Sequence, residues 1–233
     1  MKMEIRILRL LEGAKKARGI AVIIDVFRAF SFECYAIHNN VERIIPVASK
    51  ELAYELKRKN PDYIVAGERK GIMLPGFDYG NSPSQIEHVD LTGKTLVHTT
   101  SAGTQGLEGA VIAEEIITGS FVNAKAIASY IKEKRHKEVS LVCMGAEAIA
   151  RSEEDDLCAK YIEALLRDEK RDFTAEIENL RYTSGKKFFD EARKEVFPER
   201  DFHLCTKTDI FDFVLKFVYE DGIGQILPIE VIN

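Results

Sequence analysis

The run Gly19-Ile20-Ala21-Val22-Ile23-Ile24-Asp25, continued by Val26-Phe27-Arg28-Ala29, decides the fold class of this chain. Ile20 to Ile24 are apolar without alternation, which is the pattern of a strand buried on both faces. Apolar residues then recur at helical spacing through 27–38. Comparable short runs at 41–47, 63–66, 95–98, 111–117 and 139–143 alternate with helical stretches at 50–59, 122–134 and 153–166. This βαβα order predicts an α/β fold with a largely parallel sheet flanked by helices. Residues 173–204 turn helical and polar. Two late apolar runs, 213–219 and 225–232, separated by Glu220, Asp221 and Gly222, predict a closing antiparallel pair. No Gly-, Pro- or Ser-rich linker divides the chain, so residues 1–233 are expected to form one domain, or two intimately joined subdomains.

Composition narrows the function classes. A chain of 233 residues, 45% hydrophobic and 30% charged, can bury a sizeable core. Its 33 Lys and Arg stand against 38 Asp and Glu, and the net charge of -5 leaves no bulk positive field for nucleic acid or an anionic membrane. The apolar runs fall far short of the roughly 20 residues that span a bilayer. Met1 to Arg18 alternate charge with Ile and Leu and lack a secretory cleavage pattern, so a cytoplasmic protein is expected. Cys34, Cys143, Cys158 and Cys205 form no C-x-x-C pair, and no two His stand at metal-site spacing. Zinc is disfavoured, and most of these thiols are expected to be buried.

In open α/β sheets ligands bind beyond the carboxyl ends of strands. Asp25 stands at such an end, with Arg28 three residues on. A carboxylate there can hold Mg²⁺ or attack phosphorus, and an Arg can clamp phosphate oxygens; the bland alternative is a helix cap with a local ion pair. The aspartyl phosphatases that carry Asp-x-Asp are disfavoured, because position 27 is Phe27. The loop expected over 67–83 contains Gly67-Glu68-Arg69-Lys70-Gly71 and Gly76-Phe77-Asp78-Tyr79-Gly80-Asn81-Ser82-Pro83. Its glycines admit an oxyanion, its bases bring charge, and Glu68 or Asp78 can supply hard oxygen ligands; a solvated hairpin is the alternative.

Thr99-Thr100-Ser101-Ala102-Gly103-Thr104 precedes a helix and offers hydroxyls and N–H groups to an anion, or plain N-capping. Ser101 as a nucleophile on a sharp turn is a weak reading, since Thr99 stands where the elbow needs Gly. Ser152-Glu153-Glu154-Asp155-Asp156 opens the helix after Cys143-Met144-Gly145-Ala146. Capping explains part of that acidity, and the excess is compatible with a metal ligand. Thr183-Ser184-Gly185-Lys186-Lys187 fails as a P-loop tail, because Leu180 and Lys187 occupy the positions of the first Gly and the Ser or Thr. The five His form no local pair with Ser or Cys, and His98 within an apolar strand is expected to be structural.

Taken together, Ile23-Ile24-Asp25-Val26-Phe27-Arg28-Ala29, Gly67-Glu68-Arg69, the run from Gly76 to Pro83, Thr99 to Thr104, and Glu154-Asp155-Asp156-Leu157-Cys158-Ala159 resemble the 2-phosphosulfolactate phosphatase family in order and spacing. The likeness covers most of the chain and is most specific between Gly67 and Pro83. It implies a three-layer α/β/α fold with a mixed sheet. It implies Mg²⁺-dependent hydrolysis of (R)-2-phospho-3-sulfolactate to 3-sulfolactate and phosphate, a step toward coenzyme M.

On that likeness Asp25, Arg28, Glu68 and Arg69 are expected to be catalytic. Asp25, Glu68, Asp78, Glu154 and Asp155 are the pool of Mg²⁺ ligands, and Arg28 and Arg69 the phosphoryl clamps. Asn81, Ser82, Thr99, Thr100 and Thr104 are expected to complete the phosphate pocket. Lys70 and Arg151 are the nearest cations for the sulfonate and carboxylate. A homo-oligomer is expected, with a small phosphorylated acid as substrate and neither nucleic acid nor membrane as partner. The rivals are a phosphatase of another small phosphorylated 2-hydroxy acid, a metal-independent serine hydrolase using Ser101, and a binding protein that keeps the anion pocket without chemistry.

Overall fold

A computed structural model describes residues 3–220 and 222–231. Asp221 and Ile232, which fall in the two late runs and their turn, lie outside the described residues. In chain order the strands are β1 (Glu4–Arg9), β2 (Ile20–Ile24), β3 (Arg43–Pro46), β4 (Ile64–Arg69), β5 (Ile72–Met73), β6 (Thr95–Thr99), β7 (Glu115–Gly119), β8 (Glu138–Cys143), β9 (Phe213–Glu220) and β10 (Ile223–Glu230). The helices are α1 (Leu10–Ala14), α2 (Ala29–His38), α3 (Lys50–Lys59), α4 (Pro83–Ile86), α5 (Gly103–Gly109), α6 (Ala124–Lys134), α7 (Glu153–Leu166), α8 (Thr174–Asn179) and α9 (Glu199–Cys205). Residues 173–204 hold α8, α9 and three short 3-10 turns between them, the last two at Lys186–Phe189 and Glu191–Arg193.

All ten strands join one mixed sheet in the order β1-β8-β2-β7-β9-β10-β3-β6-β4-β5. β1, β8, β2 and β7 form one parallel block, and β3, β6 and β4 form another. The hairpin β9–β10, whose mutual antiparallel pairing was expected, stands between the blocks rather than closing an edge. Because all three junctions from β7 through β9 and β10 to β3 are antiparallel, a flat sheet would point the two blocks in opposite directions. Yet Asp25 after β2, Glu68 of β4 and Ser101 after β6 line one cavity. The carboxyl ends of β2, β4 and β6 therefore meet.

Side-chain alternation along β2 divides the core. Ile20, Val22 and Ile24 pack with Ile127 and Ile131 of α6 and Ile162 of α7, whereas Ala21 and Ile23 pack with Ala14, Phe30 and Leu107 of α1, α2 and α5. In the second block Ile44, Ala66 and Leu96 join the α2 side, and Ile45, Val65 and Val97 lie under Ala53 of α3. The result is the three-layer α/β/α arrangement. Ser49 caps α3 by accepting from the Leu52 N–H at 3.3 Å. All four cysteines are buried free thiols. His98 is structural in the sense expected, its Nδ1 lying 2.8 Å from Glu33 Oε1 with both side chains fully buried.

Two predicted segments move. The strand predicted over 111–117 lies at Glu115–Gly119, and Val111 and Ile112 are exposed. The loop predicted from Gly67 begins instead as strand: β4 runs through Glu68 and Arg69 and pairs with β5 across Lys70 and Gly71. Both turn residues have positive φ, +56° and +78°, as a two-residue hairpin of this kind requires.

Candidate active site

Asp25 follows the last residue of β2 and shares a cavity of about 200 Å³ with Glu68 of β4 and with Glu154 and Asp155 of α7. All four carboxylates are at least nine-tenths buried. Three segments distant in sequence bring these four acids together, and Asn81, Ser101, the exposed Glu147 and residues from 187–197 complete the lining. Arg28, Lys70, Lys187 and Arg193 bring positive charge to the same wall.

Each acid is held differently. Glu68 accepts the Ser101 N–H at 2.7 Å on Oε1, and the Gly71 N–H at 2.6 Å and the Ser101 hydroxyl at 3.2 Å on Oε2. It therefore fastens the β4–β5 hairpin to the loop before α5. Asp155 accepts from the Val26 N–H at 2.9 Å and the Gly145 N–H at 2.8 Å, tying the ends of β2 and β8 together. Burial, then the charges of Glu154 and Asp25, push its carboxyl well above the usual carboxylate range. Asp25 is pushed up to about 7, first by burial and then by Glu68 and Glu154, against opposing pulls from the Ala29 N–H and Lys187. Glu154 Oε2 and Asn81 Oδ1 are buried polar atoms without a hydrogen-bond partner among the described residues. Among those residues no three His, Cys, Asp or Glu side chains close into a ready-made metal cage.

Arg28 borders the cavity but is itself fully engaged. Its Nη1 donates to Asp201 Oδ2 and to the Val196 carbonyl, both at 2.8 Å, and its Nη2 to the Gly71 carbonyl at 3.0 Å. The guanidinium also lies 5.0 Å from the centroid of Phe197. The peptide bond before it, Phe27–Arg28, is cis.

Other predicted site residues lie outside this wall. Arg69 points away, donating to the Ala48 carbonyl and to Thr99 Oγ1, each at 3.0 Å. Asp78 is exposed beside α3, where its Oδ2 accepts from the Val65 N–H at 2.8 Å and pairs with Lys57 at 3.1 Å. The reason is the loop's course: Gly67 N–H bonds the Tyr79 carbonyl, so the chain doubles back along β4 on the α3 side. Ser82 donates to Asp201 Oδ1 at 2.8 Å. Thr100 and Thr104 bond one another, the Thr104 N–H to Thr100 Oγ1 at 3.3 Å and the Thr104 hydroxyl to the Thr100 carbonyl at 3.2 Å, across the turn that leads into α5. Arg151 is exposed and paired with Asp156 at 2.6 Å, whereas Lys70 does face the cavity.

Ser101 lines the cavity, but none of the five His does, and its hydroxyl meets Glu68. That leaves a serine nucleophile without an imidazole base. Lys187, Arg193, Phe197 and Asp201 escaped the sequence reading. Lys187 sits in the failed P-loop tail, and the others belong to a stretch with no motif. Their only local signal was a cluster of bases and aromatics in 181–197.

Comparisons with known proteins place the chain beside one family and its named relatives. Residues 6–220 match the family described as 2-phosphosulpholactate phosphatase. A protein of Bacillus subtilis (strain 168) named "Probable 2-phosphosulfolactate phosphatase" is 36% identical over 206 residues, covering 87% of this chain and 88% of that protein. One of the same name from Caldicellulosiruptor saccharolyticus is 36% identical over 214 residues, 84% and 88% of the two chains. Another, from Carboxydothermus hydrogenoformans, is 34% identical over 234 residues, 94% and 95% of the two chains.

Proposed function

The chain belongs to the 2-phosphosulpholactate phosphatase family, and from that premise we propose that it hydrolyses (R)-2-phospho-3-sulfolactate in the cavity between the ends of β2 and β4. The observation that carries the reading is the meeting of Asp25, Glu68 and Glu154 with Asn81, Arg28 and Lys70 around one small, largely buried space. Acids crowded tightly enough to lift Asp25 to about 7 favour either a proton or a cation among them. A phosphomonoester brings more negative charge still.

Mg²⁺ fits as that cation. Asp25, Glu154 Oε2 and Asn81 Oδ1 are hard oxygen donors, and the last two have no other partner among the described residues. We assign these three to hold the ion. When bound, Mg²⁺ supplies neutralisation of the phosphoryl charge as the ester bond breaks. Glu68 and Asp155 are positioning residues: their oxygens hold the Ser101, Gly71, Val26 and Gly145 N–H groups, and so fix the walls of the pocket. Lys70 binds a phosphoryl oxygen, and Arg28, paired with Asp201, is a positioning residue that holds the Gly71 carbonyl beside it. Water gives its oxygen to phosphorus, the P–O ester bond breaks, and the departing alkoxide takes up a proton to leave 3-sulfolactate and inorganic phosphate. The product is a precursor toward coenzyme M.

The test is release of inorganic phosphate from a panel of phosphorylated 2-hydroxy acids, with Mg²⁺ and with EDTA. The highest kcat/KM is expected for 2-phospho-3-sulfolactate, with turnover lost in EDTA and restored by Mg²⁺. Release from none of the panel would overturn the reading, and a preference for a different acid would replace its substrate.

A further inference from the structure

Three cations that line this cavity, Lys70, Lys187 and Arg193, have no carboxylate at ion-pair distance among the described residues, although the exposed Glu147 shares the lining. Arg28, by contrast, is neutralised by Asp201. Lys187 and Arg193 are arranged about one ring: Lys187 Nζ lies 5.4 Å and the Arg193 guanidinium carbon 4.5 Å from the Phe197 centroid. Lys187 Nζ is also 5.6 Å from the Phe27 centroid. An aromatic face fixes a cation in place without cancelling its charge, so both remain available to an anion. Lys187 and Arg193 further line a second cavity, of about 730 Å³, that opens beside the first. They therefore stand at the boundary between the enclosed acids and the wider opening.

A phosphomonoester whose phosphoryl group sits among the buried acids must extend its remaining groups toward that boundary. We infer that Lys187 and Arg193 form a second anion subsite, which binds the acid group of the substrate remote from the phosphate and sets a preference for phosphoesters that carry a sulfonate there. The inference rests on the proposed phosphatase reading and names its specificity residues. A planar guanidinium presents paired N–H donors to two oxygens of a sulfonate, and an ammonium adds charge without directional demand. Neither residue is assigned to the phosphoryl chemistry: the acids are buried, whereas Lys187 is half-buried and Arg193 exposed.

The experiment replaces Lys187→Met and Arg193→Met, singly and together, with Lys187→Arg and Arg193→Lys as charge-retaining controls. Two quantities are read: the ratio of kcat/KM for 2-phospho-3-sulfolactate to that for 2-phospholactate, which lacks the sulfonate, and the Kd of 3-sulfolactate by calorimetry. The double Met variant is expected to lower the ratio at least tenfold and raise the Kd at least tenfold, with the charge-retaining variants recovering most of both. An unchanged ratio with an unchanged Kd, or equal losses on both esters, would overturn the subsite. If the wild-type protein releases phosphate from neither ester, the phosphatase reading falls, and the calorimetric arm decides the subsite alone: failure of 3-sulfolactate to bind, or equal binding to the double variant, overturns it.

Discussion

Arg28 Nη1 lies 2.8 Å from Asp201 Oδ2, and both side chains are withdrawn from solvent. The pair joins the turn after β2 to α9. Asp201 uses its other oxygen to accept the Ser82 hydroxyl and the Ser84 N–H, so one carboxylate gathers three segments behind the cavity. Removing one partner of a buried pair leaves an uncompensated charge and costs about 3–5 kcal/mol, whereas replacing both by apolar residues is far cheaper. Asp201→Ala is therefore expected to lose stability of that order, and Arg28→Met with Asp201→Leu to lose less than Asp201→Ala alone. Denaturant titration of the three proteins checks this; a loss below about 1 kcal/mol for Asp201→Ala would show that the pair is not the anchor described.

Asp25 presents the opposite case, a residue whose loss should help the fold and end the chemistry. Its carboxyl is raised from 3.8 to about 7 by burial and by Glu68 and Glu154, so the folded state binds a proton that the unfolded chain releases in that interval. Stability contributed by the protonated form is present below the unfolded value and is lost as pH rises from about 4 to about 7. Asp25→Asn removes this slope. In EDTA the variant's stability gain over wild type is expected to be larger at pH 8 than at pH 4; with Mg²⁺ present, its kcat is expected to fall by on the order of 10³. Thermal melts at the two pH values and phosphate release decide it: a variant that turns over normally would take Asp25 out of the reaction.

How much of this could be read from the chain alone follows from which interactions are local. The apolar run of β2 and the spacing of α3 and α7 are local patterns, and all three elements form where the pattern puts them. Gly67-Glu68-Arg69 looked like loop because Gly and charge are depleted in strands. Glu68 is accommodated there because the Gly71 and Ser101 N–H groups reach its buried oxygens, and those donors come from outside the strand. The β9–β10 pairing was legible from adjacency, but its place in the middle of the sheet depends on partners more than 90 residues away in sequence. Lys187 and Arg193 were invisible for the same reason: their meaning comes from Phe197 and from a cavity built by other segments.

Asp78 tests the boundary of the site. It carries the sequence signature of a ligand, but its oxygen serves the Val65 N–H and Lys57 on the α3 side. Asp78→Ala is expected to cost about 1 kcal/mol, the usual net worth of such a hydrogen bond. Phosphate release and its dependence on Mg²⁺ concentration should stay within about twofold, since an exposed side chain outside the cavity contributes only through the fold. A loss of turnover like that of Asp25→Asn would return Asp78 to the metal site and require the loop from Gly76 to Ser82 to rearrange when the enzyme is loaded.

Two glycines of that region separate backbone strain from packing. Gly71 and Gly76 both have positive φ, +78° and +73°. A Cβ at Gly76 would meet nothing within 4 Å, whereas at Gly71 it would lie 2.3 Å from Phe197 Cζ. Gly76→Ala therefore carries only the left-handed penalty of about 1 kcal/mol. Gly71→Ala must in addition displace a buried ring against which Arg28 and Arg193 stack, and an overpacked site of this kind costs typically 1–3 kcal/mol more. Because that ring positions the cations at the cavity mouth, Gly71→Ala is expected to raise KM as well as lower stability, while Gly76→Ala leaves KM unchanged. Melting temperatures and steady-state kinetics of the two variants make the comparison. Equal behaviour would mean that Phe197 yields freely and does not hold the mouth in shape.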